Sequence, residues 1–88
     1  MATKSFTITN KTGIHIKPAQ TLAQKAMSYP DATITLTKNG NSGDLKSIIS
    51  LLSLELTCDS IIELSVEGPQ DEEILKELAQ ILIDEDLV

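Results

Sequence analysis

The sequence predicts an α/β (α+β) two-layer open-faced sandwich, in which three helices cover one face of a four-stranded antiparallel sheet. First, the hydrophobic period switches between two and about 3.6 residues in the order β-α-β-β-α-β-α. Second, 88 residues leave room for one core, so we expect a single domain over residues 1–88. Third, right-handed crossovers bring the first two strands parallel, with a gap that the fourth strand fills antiparallel.

The chain opens with a strand and a helix. Thr3–Thr9 alternates, with Phe6 and Ile8 on one face, which is typical of a half-buried strand. Ile16–Met27 is predicted as a helix, and Pro18 lies near its start, where a missing N–H costs little. Its apolar residues recur at helical spacing: Ala19, Leu22, Ala23, Ala26 and Met27.

A hairpin follows the segment Ser28–Asp31, which ends the helix. Ala32–Thr37 is the clearest strand, because Ala32, Ile34 and Leu36 alternate with threonines. The pair Asn39–Gly40 predicts a tight turn, and the polar residues 41–45 then form a short edge strand.

The second half repeats the alternation. Lys46–Leu56 predicts a short helix with apolar residues on more than one side. Ser60–Gly68 is a strand with Ile62, Leu64 and Val66 inward. Residues 69–88 form the last helix, which carries acids in its first turn. Its apolar stripe is Ile74, Leu75, Leu78, Ile81 and Leu82.

Composition and charge exclude several classes of protein. Up to Lys46 there are six lysines against two acids, and from Ser47 onward one lysine against eleven acids. The net charge of −6 and the two aromatic residues disfavour a nucleic-acid module, which needs cationic and stacking surfaces. Each lysine taken singly is expected to be solvated, although the basic half also suits an anionic substrate or an acidic partner.

The chain also lacks the usual signatures of other compartments and sites. Cys58 is the single cysteine, so no intrachain disulfide forms. No signal-peptide layout and no apolar run of about 20 residues occurs, so we expect a cytoplasmic protein that does not insert into membranes. One imidazole without paired ligand spacing gives no metal site, and no cofactor is expected.

The single histidine, His15, lies where the loop meets the first helix, in the segment TGIHIKPA. A helix N-terminus presents free N–H groups and a positive dipole end, which stabilise a phosphate and favour neutral, nucleophilic imidazole. Gly13 allows a close approach or a positive φ, and Lys17 adds a nearby charge. The alternative is an ordinary surface histidine, and chemistry alone leaves it open.

Two separated motifs resemble one known family. GIHIKPA resembles the G-[IL]-H-A-R-P-A signature of HPr, the histidine-containing phosphocarrier of the bacterial phosphoenolpyruvate:sugar phosphotransferase system. The segment Leu45–Leu54, LKSIISLLSL, resembles the family's K-S-I-M-G-V-M-S-L, and the spacing between the motifs matches. The resemblance covers the whole chain, including the order of its elements.

The resemblance implies a carrier in sugar transport rather than an enzyme. His15 would accept a phosphoryl group on its δ1 nitrogen from phospho-enzyme I and pass it to sugar-specific enzyme IIA domains. Lys17 occupies the position of the family's active arginine and would stabilise charge. Ser47 matches the serine that HPr kinase/phosphorylase modifies, which signals to a transcriptional repressor in carbon catabolite regulation.

Independent reasoning from the residues adds two expectations. Ser47, just before an apolar run, is also a good N-cap for the short helix. Apolar residues on several sides of that helix indicate an exposed group at which partners dock. The resemblance locates enzyme I and enzyme IIA on the first two helices. The expected contact residues are Ile16, Gln20, Ile48, Ile49 and Leu52.

The chain departs from the family pattern at several positions. Lys17 replaces arginine, so a point charge replaces a bidentate fork. Ile16 replaces a small alanine, Ile49 a methionine and Ser50 a glycine. Glu55 and Asp59 stand where glycines often occur, and aspartate tolerates a left-handed backbone better than most residues.

Two functional hypotheses therefore remain from the sequence. The first is a working phosphocarrier, which we expect to be a monomer. The second is a divergent regulatory HPr-like paralogue that binds partners without efficient phosphotransfer. The intact His15 favours the first, and a small RNA- or ligand-binding sandwich is disfavoured by the charge and the scarcity of aromatic residues.

Overall fold

A computed structural model describes residues 1–14 and 16–88. Within them the predicted order of elements is confirmed: β1 (Ala2–Thr7), α1 (Ile16–Met27), β2 (Thr33–Lys38), β3 (Asn41–Asp44), α2 (Ile48–Ser53), β4 (Ile61–Glu67) and α3 (Asp71–Asp84). The strands form one antiparallel sheet in the order β1-β4-β2-β3. As predicted, β4 fills the gap between β1 and β2, and the short β3 lies at an edge.

The core lies between the sheet and the helices and is aliphatic. In β4, Ile62, Leu64 and Val66 are buried, whereas the intervening Glu63 faces solvent, as the period of two requires. The helices close this face with their own buried positions, among them Leu22, Ala23 and Ala26 from α1, Leu51 from α2, and Ile74, Leu78, Ala79 and Leu82 from α3.

The hairpin between β2 and β3 has the predicted turn. Asn39 and Gly40 both take positive φ angles, of 52° and 82°. Two consecutive left-handed residues match the right-handed twist of the flanking strands, which is why an Asn-Gly pair favours this connection. Thr37 and Ser42 then face each other across the hairpin, and their hydroxyl oxygens lie 3.0 Å apart.

Three details of the helix predictions were wrong, one of them being that the last helix covers Asp71–Asp84 and not the predicted residues 69–88. The predicted helix Lys46–Leu56 is shorter, because Ser47 caps its start and Glu55, at φ 54°, turns the chain out of the helix. Leu56 is still buried, but it reaches the core from the loop that follows. Met27 was expected on the buried stripe of α1, yet its side chain is 56% exposed at the last turn of that helix.

All five residues predicted for the apolar stripe of the last helix face the core, although two of them are only partly buried. Leu75 and Ile81 are half-buried and pack against the core, whereas the other predicted positions are fully buried. Among the residues described, no helix combines the length and apolar character needed to cross a bilayer.

Candidate functional site

The β1–α1 loop, residues 8–14, is tied to two distant segments before it reaches α1. The main-chain N–H of Thr9 donates to the carbonyl of Leu87 at 2.9 Å, and that of Ile14 donates to the carbonyl of Leu56 at 2.8 Å. The Ile14 side chain is buried. Hydrogen bonds to distant segments therefore fix both ends of the loop that precedes the predicted phosphoryl acceptor.

Gly13 meets a double requirement within this loop. Its φ is +71°, and a Cβ added there would overlap the Leu56 carbonyl oxygen and lie 3.0 Å from the Thr57 Cα. Its N–H donates to the Asn10 carbonyl at 3.0 Å. The sequence expectation of a positive φ or a close approach is confirmed on both counts, because only glycine fits this position.

His15, the residue that the sequence singles out, lies outside the described residues. Beyond it α1 begins at Ile16, where Lys17 is exposed and no acidic side chain lies in the first turn. The first N–H groups of a helix have no intrahelical partner, and Pro18 contributes none. The start of α1 thus offers the Ile16 and Lys17 N–H groups and one ammonium, which together suit an anion.

Ser47 caps α2 as the sequence predicted. Its backbone is extended, with φ −114° and ψ 115°, and its side-chain oxygen accepts from the Ser50 N–H at 3.3 Å. Such a cap satisfies one of the free donors at the start of a helix. The residue is half-buried.

Apolar side chains project into solvent from the two helices near this site. Ile16 is 58% exposed on α1, and Ile49 and Leu52 are 82% and 40% exposed on α2. These three residues form the exposed apolar group, on helices that pack against each other. Gln20 is also exposed, whereas Ile48, predicted as a contact residue, is half-buried and packs against the core.

Two lysines that were expected to be solvated instead hold the backbone. The ammonium of Lys46 donates to the carbonyls of Tyr29 and Ala32, at 2.9 and 2.6 Å. Lys38 donates to the carbonyl of Glu55. The expectation was wrong here because loop segments bring main-chain carbonyls close to each ammonium, and a charged donor forms a strong hydrogen bond with them.

A clear electrostatic effect lies elsewhere, at the start of α3. The Met1 ammonium lies 3.1 Å from an Asp71 carboxylate oxygen. This hydrogen-bonded charge pair holds the pKa of the Asp71 carboxyl below its ordinary value of 3.8. The Met1 side chain is exposed and that of Asp71 is half-buried, so water still screens the pair and it contributes little to stability.

Comparison with known proteins agrees with this geometry. A family model described as "PTS HPr component phosphorylation site" matches residues 2–84. The phosphocarrier protein HPr of Vibrio cholerae is 35% identical over 82 residues, which cover 93% of this chain and 95% of that protein. The chain belongs to the HPr family.

Solved HPr structures share the whole fold. A histidine-containing phosphocarrier protein from Mycoplasma superposes with a TM-score of 0.95 at 30% identity, over 99% of this chain and 98% of the other. An HPr dimer from Thermoanaerobacter tengcongensis gives 0.75 at 31% identity, with 92% of each chain covered. The fold class inferred from the sequence is therefore that of HPr.

Two departures from the HPr pattern acquire a physical explanation. Glu55 and Asp59, where glycines often occur, have φ angles of 54° and 70°. These are left-handed conformations, which glycine adopts freely and other residues adopt at a cost. The positions therefore keep the backbone shape that glycine favours even though the side chains differ.

One set of contacts in the loop before α1 was missed from the sequence. The side chain of Asn10 links Thr12 to Asp86, a contact that spans most of the chain. An asparagine two residues before a threonine and three before a glycine is a recognisable turn signal. The partner near the other end of the sequence carries no such signal.

Proposed function

We propose that this chain, acting as a single domain over residues 1–88, is a cytoplasmic phosphocarrier and not an enzyme. It accepts a phosphoryl group on His15 from phospho-enzyme I and passes it to sugar-specific enzyme IIA domains. The observation that carries the proposal is the family match over residues 2–84, described by its phosphorylation site. Acceptance breaks the bond from phosphorus to enzyme I and forms one from phosphorus to the δ1 nitrogen of His15. Onward transfer breaks that bond and forms one from phosphorus to enzyme IIA.

The start of α1 supports the chemical step. Phosphoryl transfer relies mainly on positioning and on the stabilisation of negative charge. The N–H groups of Ile16 and Lys17 supply partial positive charge at the helix end, and the exposed Lys17 ammonium supplies a full charge. Lys17 therefore takes the charge-stabilising role, as a point charge and without a bidentate grip.

The exposed apolar group supports transient docking. Ile16 on α1 and Ile49 and Leu52 on α2 expose large side chains on two helices that pack against each other, and the polar Gln20 is exposed on α1. Short-lived complexes need a small apolar centre surrounded by polar groups. Enzyme I and enzyme IIA would use this same surface in turn, with Ile48 contributing its partly exposed face.

The direct test is incubation with phosphoenolpyruvate and enzyme I, followed by intact mass measurement. We expect one acid-labile phosphate per chain in the wild type and none in His15→Ala. Transfer onward is then followed by mixing the phosphorylated chain with enzyme IIA domains. A folded wild-type chain that no enzyme I labels would contradict the proposal and favour the regulatory paralogue.

Lys17 allows a sharper test of the chemistry. We expect Lys17→Ala to slow transfer, Lys17→Arg to transfer at least as fast as the wild type, and both variants to stay folded, because Lys17 is exposed. Lys76→Ala, an exposed lysine on α3, is the matched control. If Lys17→Ala transferred at the wild-type rate, its assigned role would be wrong.

Ser47 is proposed as a regulatory phosphorylation site for HPr kinase/phosphorylase, read by a transcriptional repressor. Its half-buried hydroxyl caps α2 directly before Ile48 and Ile49, so a phosphate adds about two negative charges beside the docking surface. ATP-dependent labelling by the kinase should vanish in Ser47→Ala and persist in Ser53→Ala. Labelling that survives in Ser47→Ala would assign the site elsewhere.

The assembly state is proposed as a monomer. A solved HPr from another bacterium is a dimer, so the alternative is concrete. Sedimentation at several concentrations decides between them, and a mass of twice 9.5 kDa at micromolar concentration would contradict the monomer.

A further inference from the structure

The side-chain amide of Asn10 joins the β1–α1 loop to the segment that follows α3. Its Nδ2 donates to the carbonyl of Asp86 at 3.1 Å. Its Oδ1 accepts from the Thr12 N–H at 2.9 Å and from the Thr12 hydroxyl at 2.6 Å. The orientation of the amide is unambiguous, because a carbonyl only accepts and a main-chain N–H only donates.

The segment that Asn10 reaches is itself fixed in the core. Leu87 is 1% exposed, and its N–H donates to the Leu82 carbonyl at 2.9 Å. Its carbonyl accepts from the Thr9 N–H at 2.9 Å and from the Asn10 N–H at 3.4 Å. The β1–α1 loop is thus hydrogen-bonded to the buried residue Leu87, the buried anchor, and the side chain of Asn10 adds a bond to the neighbouring Asp86.

The same residue fixes the loop from within. The Asn10 carbonyl accepts from the Gly13 N–H at 3.0 Å, and its side chain holds Thr12. Gly13 packs so closely against the Leu56 carbonyl that no side chain fits between them, and the same carbonyl accepts from the Ile14 N–H. The backbone of residues 12–14 is therefore set by Asn10 on one side and by Leu56 on the other.

We infer that Asn10 is a positioning residue for phosphoryl acceptance, which fixes the backbone leading into His15 against the buried anchor at Leu87. The inference rests on the proposed phosphocarrier function. It assigns to Asn10 no contact with the phosphoryl group and no role in docking.

The magnitudes favour an effect on rate over an effect on stability. The Asn10 side-chain hydrogen bonds lie at the exposed surface, so their loss weakens folding only modestly. A displacement of about 1 Å at a reacting group, by contrast, lowers a rate by up to about 100-fold. Loss of the link should therefore be visible in transfer while the domain remains folded.

The experiment is single-turnover transfer from pre-phosphorylated enzyme I, with rapid quenching over a range of concentrations of this chain. It separates the rate constant at saturation from the half-saturating concentration. For Asn10→Ala we expect the saturating rate constant to fall by about tenfold, in line with a sub-ångström displacement. The half-saturating concentration should stay unchanged, because Ile16, Ile49 and Leu52 are untouched.

Two further variants make the result specific. Asn10→Asp keeps an acceptor for Thr12 but loses the donor to Asp86, so its rate constant should lie between those of the wild type and Asn10→Ala. It also carries the test if Asn10→Ala fails to fold. Asn41→Ala, an exposed asparagine on β3, should behave as the wild type.

The inference is overturned if folded Asn10→Ala or Asn10→Asp transfers with the wild-type rate constant. It is also overturned if only the half-saturating concentration changes, because that result would make Asn10 a docking residue. A wild type that accepts no phosphate removes the proposed function itself, whereas labelled wild type with unaffected Asn10 variants removes only this inference.

Discussion

Substitution of Gly13 by alanine gives the sharpest test of how the β1–α1 loop is built. At φ +71° the alanine backbone is forced into the left-handed conformation, which costs about 1–2 kcal/mol for an L-residue. The new Cβ also overlaps the main-chain oxygen of Leu56 and lies 3.0 Å from the Thr57 Cα. Both obstacles are backbone, so neither moves aside as a flexible side chain would.

Relief of this overlap requires the two segments to separate. Overpacking of this kind costs about 1–3 kcal/mol. The separation also strains the hydrogen bond from the Ile14 N–H to the Leu56 carbonyl, worth about 1 kcal/mol. Together with the backbone term, Gly13→Ala should destabilise the domain by roughly 3–6 kcal/mol. A domain of 88 residues has a total stability of about 4–13 kcal/mol, so the loss is severe.

Gly40→Ala is the matched control. Gly40 has a similar φ of +82°, but a Cβ added there meets nothing within 4 Å. It should therefore show only the backbone term of about 1–2 kcal/mol. The difference between the two variants, about 2–4 kcal/mol, isolates the contact between Gly13 and Leu56.

Urea unfolding followed by circular dichroism measures both variants. With a slope of about 1–3 kcal/mol per molar urea, the Gly13→Ala midpoint should lie about 1 M or more below that of Gly40→Ala. Amide exchange at Ile14 should also accelerate in Gly13→Ala alone. Equal midpoints in the two variants would refute the close approach of the loop to Leu56.

Three further predictions concern the rest of the fold. Ser47→Ala removes the cap on Ser50 and should lower the free energy of unfolding by about 1 kcal/mol in urea titrations. Leu78→Ala empties a fully buried position and should cost about 2–5 kcal/mol by the same measurement. The pKa of Asp71 is lowered in the folded state, so its contribution is present above pH 3.8 and is lost as the pH falls through the lower folded value. Asp71→Asn, in protein that keeps Met1, should therefore flatten the stability-against-pH curve below about pH 4 and leave its slope near neutral pH unchanged.

Each of these predictions has an outcome that contradicts it. Ser53→Ala, which leaves the cap intact, should stay near the wild type, and a loss equal to that of Ser47→Ala would remove the cap as the cause. Lys76→Ala is the exposed control for Leu78→Ala on α3. An acid limb that is unchanged in Asp71→Asn would show that the pair with Met1 contributes nothing to folding.

Sequence reasoning predicts what depends on local pattern. The alternation of Ile62, Leu64 and Val66 specifies a strand buried on one face, and Asn39–Gly40 specifies the turn, because both signals lie within a few residues. The right-handed crossover rule predicted the strand order, whereas the family resemblance implied phosphoryl acceptance at His15. His15 and its chemistry remain a proposal.

Contacts between distant segments were not predictable in the same way. Nothing near Lys46 in the sequence indicates that its ammonium meets the carbonyls of Tyr29 and Ala32. The exposure of Met27 depends on where α1 ends relative to its neighbours, and helical spacing alone does not define that end. Local sequence patterns predict the conformation of nearby residues, whereas contacts between distant segments depend on how the elements pack.

The ties of the β1–α1 loop also set when the loop takes shape during synthesis. Asn10 and its partner Asp86 are separated by 76 residues, and Leu87 holds Thr9 over a similar span. Among the described residues β1 pairs with β4 alone, so the first strand has no neighbour in the sheet until residues 61–66 have been made. Contacts that close such long loops form late in folding, because the chain loses the entropy of loop closure before the new contacts stabilise it. In an unfinished chain, residues 8–14 therefore lack these contacts, which form once the segment after α3, with Asp86 and Leu87, has been made.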